Sequence, residues 1–255
     1  MKVHQLIFSP TGGTRRVSAS LTAGILTEGN EGEIVDLCVK PAQMVQPQLD
    51  EHDLVVLAMP VFAGRVPALA IERLSAIESH QARCVIVAVY GNRAYDDALL
   101  ELKDVATERG FRVIAAVGAI AEHSIAREYG TGRPDAADQN ALQAFGVKIA
   151  QKIANGDEAV PALPGNRPYK KPMEGPHPKA GKHCNDCGLC AKACPVGAIS
   201  MDNLRQVDKQ KCISCMRCVA VCPSQARGIG KIMQFMIATM LKKPCASRKE
   251  NELFI

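Results

Sequence analysis

Eight cysteines in the last third of the chain form a repeated pattern. Cys184, Cys187, Cys190 and Cys194, the last followed by Pro195, recur as Cys212, Cys215, Cys218 and Cys222, the last followed by Pro223; each is displaced by 28 residues, 184 to 212 and 194 to 222. Three cysteines at three-residue spacing can wrap a loop around one cubane and bind three of its irons. The fourth, ahead of proline, lies too far round to join that loop and starts a helical turn directed at the other cluster. The spacing therefore predicts two [4Fe–4S] clusters with crossed ligands. One set is Cys184, Cys187 and Cys190 with Cys222; the other is Cys212, Cys215 and Cys218 with Cys194. Structural zinc takes four ligands in two separated pairs, and fused triplets argue against it. The duplication predicts pseudo-twofold symmetry, with Ala198–Met201 and Arg205–Asp208 as a hairpin around Asp202-Asn203.

On these motifs residues 181–229 resemble the bacterial two-cluster ferredoxins. The resemblance implies a small α+β domain that carries single electrons. Of the other cysteines, Cys38 and Cys84 sit in strand-like runs and are expected to be buried, inert thiols. Cys245 is expected to be free and exposed. Met1–Phe8 reads as a first buried strand rather than as a signal peptide. A secreted disulfide framework is therefore not expected, and a cytoplasmic protein is. No apolar run reaches the roughly 18 residues that span a bilayer.

Residues 1–155 alternate short apolar runs with helical patterns. Strands are expected at Val3–Phe8, Glu33–Leu37, Leu54–Met59, Cys84–Tyr90 and Arg112–Ile120. They are rich in Val, Ile, Leu and Ala without strict alternation, as strands covered on both faces are. Helices are expected at Arg15–Ile25, Ala68–Ile77, Asp96–Arg109 and Ala136–Asn155, the last capped by Asp135. Five strands alternating with helices imply an α/β doubly wound, five-stranded parallel sheet. Residues 156–180 hold Pro161, Pro164, Pro168, Pro172, Pro176 and Pro178, an extended linker expected to lie on a surface. Residues 230–255 read as an amphipathic, Met-rich helix, Lys231–Lys242, followed by a charged tail. The helix is expected to pack on one of the domains.

After the first strand comes Ser9-Pro10-Thr11-Gly12-Gly13-Thr14 and then a helix. Hydroxyls and backbone N–H groups at a helix N-terminus make an anion site. In a doubly wound sheet, ligands sit beyond the carboxyl ends of the strands at the switch point. There strand three ends Pro60-Val61-Phe62-Ala63-Gly64 and strand four ends Tyr90-Gly91-Asn92-Arg93-Ala94-Tyr95. Aromatic residues are 4% of the chain, so Phe62, Tyr90 and Tyr95 on these loops point to a planar ligand. Residues 1–155 resemble the flavodoxins on these three loops. The resemblance implies FMN, its phosphate on Ser9, Thr11, Gly12, Gly13 and Thr14. The ring would be held by Pro60–Gly64 and by Tyr90, Gly91, Asn92 and Tyr95, with Phe62 and Tyr95 stacked on it. His123 follows strand five near the same edge and could touch the flavin or carry a proton to it.

Net charge is +5, divided as −3 over residues 1–156 (15 basic, 18 acidic) and +8 over 157–255 (16 basic, 8 acidic). With few aromatics among the basic residues for base stacking, nucleic acid is not the expected partner. An acidic redox protein is. The whole chain resembles the flavodoxin–ferredoxin fusions, EFR-type ferredoxins, of anaerobic microbes. That implies an electron carrier working among FMN, two clusters and an external redox partner. An FMN-dependent oxidoreductase reducing a small substrate and a redox sensor are the other two readings.

Overall fold

A computed structural model describes residues 1–26 and 29–255. The chain runs through β1 (Val3–Ile7), α1 (Gly13–Ile25), β2 (Glu31–Asp36), β3 (Leu54–Pro60), α2 (Ala68–Leu74), β4 (Arg83–Tyr90), α3 (Ala98–Glu108), β5 (Arg112–Ile120) and α4 (Ala136–Ala154). Beyond the linker come β6 (Lys179–Ala180), α5 (Leu189–Lys192), α6 (Arg217–Ala220), β7 (Arg227–Gly228), α7 (Lys231–Lys242) and β8 (Glu252–Phe254). The first five strands are all parallel and ordered β2-β1-β3-β4-β5, the flavodoxin-like doubly wound order.

The apolar runs explain this arrangement. β3, β4 and β5 have both faces covered, so nearly every side chain on them is buried. Leu57, Ile86 and Ala116 join Leu74, Leu99 and Phe111 of the α2–α3 layer on one side. Val56, Val87 and Val117 join Val17, Leu21, Leu142 and Ile149 of α1 and α4 on the other. Each fully buried side chain of this size contributes roughly 1.5–3 kcal/mol relative to exposure. Asp135 caps α4 as expected: its carboxylate accepts from the Asp138 amide at 3.0 Å, while the Asp138 carboxylate accepts from the Asp135 amide at 3.0 Å.

Three expectations need correction. The sheet has a sixth member, because the tail is not a loose charged end. β8 pairs antiparallel with β5, Val117 opposite Leu253, which covers what would be an open edge. Second, 198–201 and 205–208 form no strands; one bond, from the Asp208 amide to Ala198 O at 2.8 Å, joins them. The small sheet is instead β6 with β7, tying the two ends of the cysteine segment together. Third, Cys245 is buried, 5% exposed, against α7 and Tyr129. No helix among the described residues is long and apolar enough to cross a membrane.

The linker lies on α3 as expected of a surface-bound strap. Asp97 accepts from the backbone amides of Asn166 (2.9 Å) and Lys170 (2.6 Å). Arg167 binds Asp104 through two nitrogens at 2.8 and 2.5 Å. Arg65 grips Glu101 at 2.8 and 2.5 Å, donates to Lys170 O and lies 4.9 Å from the Tyr169 ring centre. On the other side of the linker, Val196 and Ile213 pack against the main core, and Arg217 lies 4.0 Å from Asp36.

Candidate functional site

The strand ends open into a cavity of about 510 Å³, within the range of small-molecule sites. Its floor is the β1–α1 turn. The N-cap of α1 is Gly12 at φ 90°, which has no side chain to cap it. Ser9 Oγ accepts from the Arg15 amide at 3.0 Å, leaving the backbone of Gly13 and Thr14 to face the cavity. One wall is the turn after β3. Phe62 and Arg65 exchange backbone bonds at 2.9 and 3.1 Å. Ala63 and Gly64 between them both have positive φ, 50° and 86°, so this is a type I′ turn, in which glycine carries the second position without strain. The turn holds Phe62 at the cavity edge.

Of the residues expected on the cofactor, Thr11, Gly13, Thr14, Pro60, Val61, Phe62, Ala63, Gly64, Tyr90 and Gly91 line this space. Ser9, Gly12, Asn92 and Tyr95 do not. Ser9 braces the turn: its amide donates to Cys38 Sγ at 3.1 Å. Asn92 is 4% exposed and turns toward the tail, donating to Cys245 O (3.1 Å) and Ser247 O (3.0 Å) and accepting from the Lys249 amide. Tyr95 lies over Gly118 of β5 and donates to Glu252 at 2.7 Å; Tyr90 meets it edge-on at 5.4 Å. The departures of Asn92 and Tyr95 have one cause. The tail that ends in β8 runs beside the β4 loop and engages the polar ends of these two side chains.

His123 does line the cavity. It rests on Gly91, where a Cβ would come within 2.6 Å of the His123 Cδ2. Its Nδ1 accepts from the amides of Ile125 (3.2 Å) and Ala126 (3.1 Å), so the proton of the neutral ring resides on Nε2. Burial holds its pKa below the usual histidine value. Burial raises the Tyr90 phenol to about 12. The site thus gathers a neutral His123 ring and Tyr90 beside the start of α1, together with the charged Arg93 and Lys170.

The far wall comes from parts of the chain that no local pattern connects to the strand ends. Lys170, Met173 and Pro176 of the linker, Ile213, Ser214 and Cys215 of the cysteine segment, and Ile237, Met240 and Leu241 of α7 all line it. Sequence reading placed none of these residues on this cavity, although it named Cys215 as a cluster ligand, because nothing in their own stretches encodes where they dock.

The cysteine segment contains two small cavities. One is lined by Cys184, Cys187, Cys190 and Cys222, with Arg227. The other is lined by Cys194, Cys212, Cys215 and Cys218, with Ile213 and Met216. Each thus draws three thiols from one triplet and one from the opposite Cys-Pro, a donor set that suits a cubane. Burial pushes the Cys215 thiol up to about 12 and Cys218 up to about 11. Thiolates there need positive charge nearby. Arg227, 4% exposed, supplies some of it, drawing down both Cys212 and Cys218 against their burial. Its guanidinium is held by the carbonyls of Leu204 and Pro178. Among the described residues, no three His, Cys, Asp or Glu side chains close around a point as single-ion ligands do.

Residues 183–227 match the family described as the 4Fe-4S dicluster domain. The chain is 46% identical over 44 residues to a subunit of the ion-translocating oxidoreductase complex of Methanosarcina acetivorans, covering 17% of this chain and 17% of that protein. To the Escherichia coli protein AegA it is 55% identical over 42 residues, covering 16% and 6%. The chain thus spans less than a fifth of the length of these relatives. Among solved structures, a flavodoxin from the domain Archaea superimposes with a TM-score of 0.44 at 17% identity, covering 60% of this chain and 99% of that one. The flavodoxin of Megasphaera elsdenii does so with 0.40 at 16%, covering 58% and 98%. The fold assignment rests on the strand order rather than on these superpositions.

Proposed function

We propose that this protein transfers electrons between FMN, held in the large cavity, and two [4Fe–4S] clusters, and that it exchanges them with an external redox partner. One observation carries the reading. Cys215 lines both the large cavity and the small cavity shared by Cys194, Cys212 and Cys218, so a flavin and a cluster would share a wall.

The residues present fit both groups. The first turn of α1, at Gly13 and Thr14, offers backbone N–H groups to a phosphate. Phe62 and the apolar edges of Val61 and Tyr90 suit a flat ring. Two four-cysteine cavities suit two cubanes. When bound, FMN would supply exchange of one or two electrons, and each cluster would pass one. The chain's own residues set the conditions. Ile213 and Ser214 keep the second triplet against the cavity. Met173, Ile237 and Met240 make its outer wall apolar and limit water. His123 presents a fixed Nε2–H donor, and Arg227 offsets thiolate charge beside the buried cysteines. An FMN-dependent reductase of small substrates is the second reading, favoured by the size of the cavity and by His123 in its wall.

Holo protein prepared without oxygen tests the proposal. Extracted flavin should be FMN and iron about eight per chain. After a light pulse that reduces the flavin, the clusters should bleach at a rate independent of protein concentration. A rate proportional to concentration, or the absence of FMN, would refute it. Steady turnover of a small substrate without a protein partner would favour the second reading.

A further inference from the structure

α7 has two apolar faces, and only one is docked. Ile237, Leu241 and Cys245, four residues apart, pack on Ala126 and Tyr129, and the Tyr129 hydroxyl donates to Ala238 O at 2.6 Å. Ile232 and Met236, also four residues apart, are 80 and 59% exposed, with Phe235 at 72% beside them. Every residue from 231 to 236 is exposed, so the first half of the helix stands out from the body as a ridge. A contiguous apolar ridge of this kind marks a contact surface.

The charge around it narrows the choice of occupant. Between Asp208 and Glu250 the chain has nine Lys and Arg residues and no Asp or Glu. Lys231, Lys242 and Lys243 at the two ends of the helix are exposed. A second copy pairing through this face would set lysine against lysine, with no carboxylate in the segment to offset them. A rigid protein groove would have to match a convex ridge of flexible side chains. A lipid surface yields to such a ridge, and an anionic one is complementary to its lysines. Phe, Ile and Met on one face with Lys bordering it is the composition of a helix that lies in a membrane interface.

We propose that α7 seats this protein on the surface of an anionic lipid bilayer. Ile232, Phe235 and Met236 enter the headgroup–acyl boundary, and Lys231, Lys242 and Lys243 meet the headgroups. The helix lies in the plane of the surface and does not cross it. None of these residues holds a proposed cofactor, so this inference stands or falls separately from the electron-transfer reading.

Sedimentation of the full chain with vesicles tests it. Binding to phosphatidylcholine vesicles containing phosphatidylglycerol should be at least about tenfold tighter than to phosphatidylcholine alone, and should weaken as salt rises. Ile232→Glu with Phe235→Glu should weaken it at least about tenfold while leaving the visible spectrum and unfolding midpoint unchanged. The chain has no Trp, so Phe235→Trp gives a clean reporter whose emission should shift to the blue on anionic vesicles. Failure of the unmodified chain to bind, equal binding by the double variant, or an unshifted emission from the Phe235→Trp variant would overturn the proposal. So would a dimer dissolved by Phe235→Glu in a protein that ignores vesicles.

Discussion

Cys194 and Cys222 do two jobs at the residue scale. Each follows the short helix of one half of the repeat, where it opens a non-helical turn rather than the expected helical one, and lines the cavity of the other half. If the crossed sets are the ligands, their alanine variants must fail in opposite places. Cys222→Ala should lose the cluster of the 184–190 triplet and Cys194→Ala that of the 212–218 triplet, each keeping about four irons. EPR spectra and iron assays distinguish the two losses, and a reversed pattern would show uncrossed ligation. These two roles were legible because ligand spacing is a local property of the chain. The positions of Asn92 and Tyr95 were not. Both lie in the expected loop, yet both point to a tail more than 150 residues away in sequence, and no local pattern announces that contact. Arg227 was equally hidden, since one arginine among many does not declare that it will be buried.

At the scale of elements, the linker shows how charge holds an irregular segment in place. The backbone amide of Lys170 holds the Asp97 carboxyl below its ordinary range, and the Arg167 guanidinium does the same for Asp104. A carboxyl with a depressed folded pKa stabilises the docked state above the unfolded value, about 3.9. That contribution disappears as pH falls through the lower, folded pKa. Docking should therefore be constant from neutrality to about pH 5 and weaken below about pH 4. Hydrogen exchange or proteolysis across residues 161–172 at stepped pH measures this; protection unchanged down to about pH 2 would mean that these carboxylates do not hold the strap. The prolines correctly announced an extended surface segment, because their missing N–H bars regular pairing. They could not say which surface, since the partners are carboxylates on α3.

The whole molecule combines two units of unequal self-sufficiency. The parallel sheet has a large apolar layer on each face. The apolar cluster inside the cysteine segment is small, Ala191, Ile199 and Leu204 with half-buried Cys190, Val207 and Cys218 against them. So small a core needs metal to stay folded. Removing iron with a chelator and a reductant should therefore abolish amide protection across residues 179–228 and leave β1 to β5 protected. Cooperative loss of the sheet at the same iron occupancy would show that the two units unfold as one.

Local periodicity and spacing were enough to dictate the strand-and-helix alternation and to group the eight cysteines as the two small cavities do. Each is written within a short stretch, where backbone geometry leaves few choices. Three outcomes emerged only when the chain folded: the tail became a sixth strand, Tyr95 came to serve that strand rather than the cavity, and Cys215 came to stand in the wall between two sites. They depend on which distant surfaces bury each other. That is a competition among many weak, non-directional apolar contacts, whose winner no local pattern records.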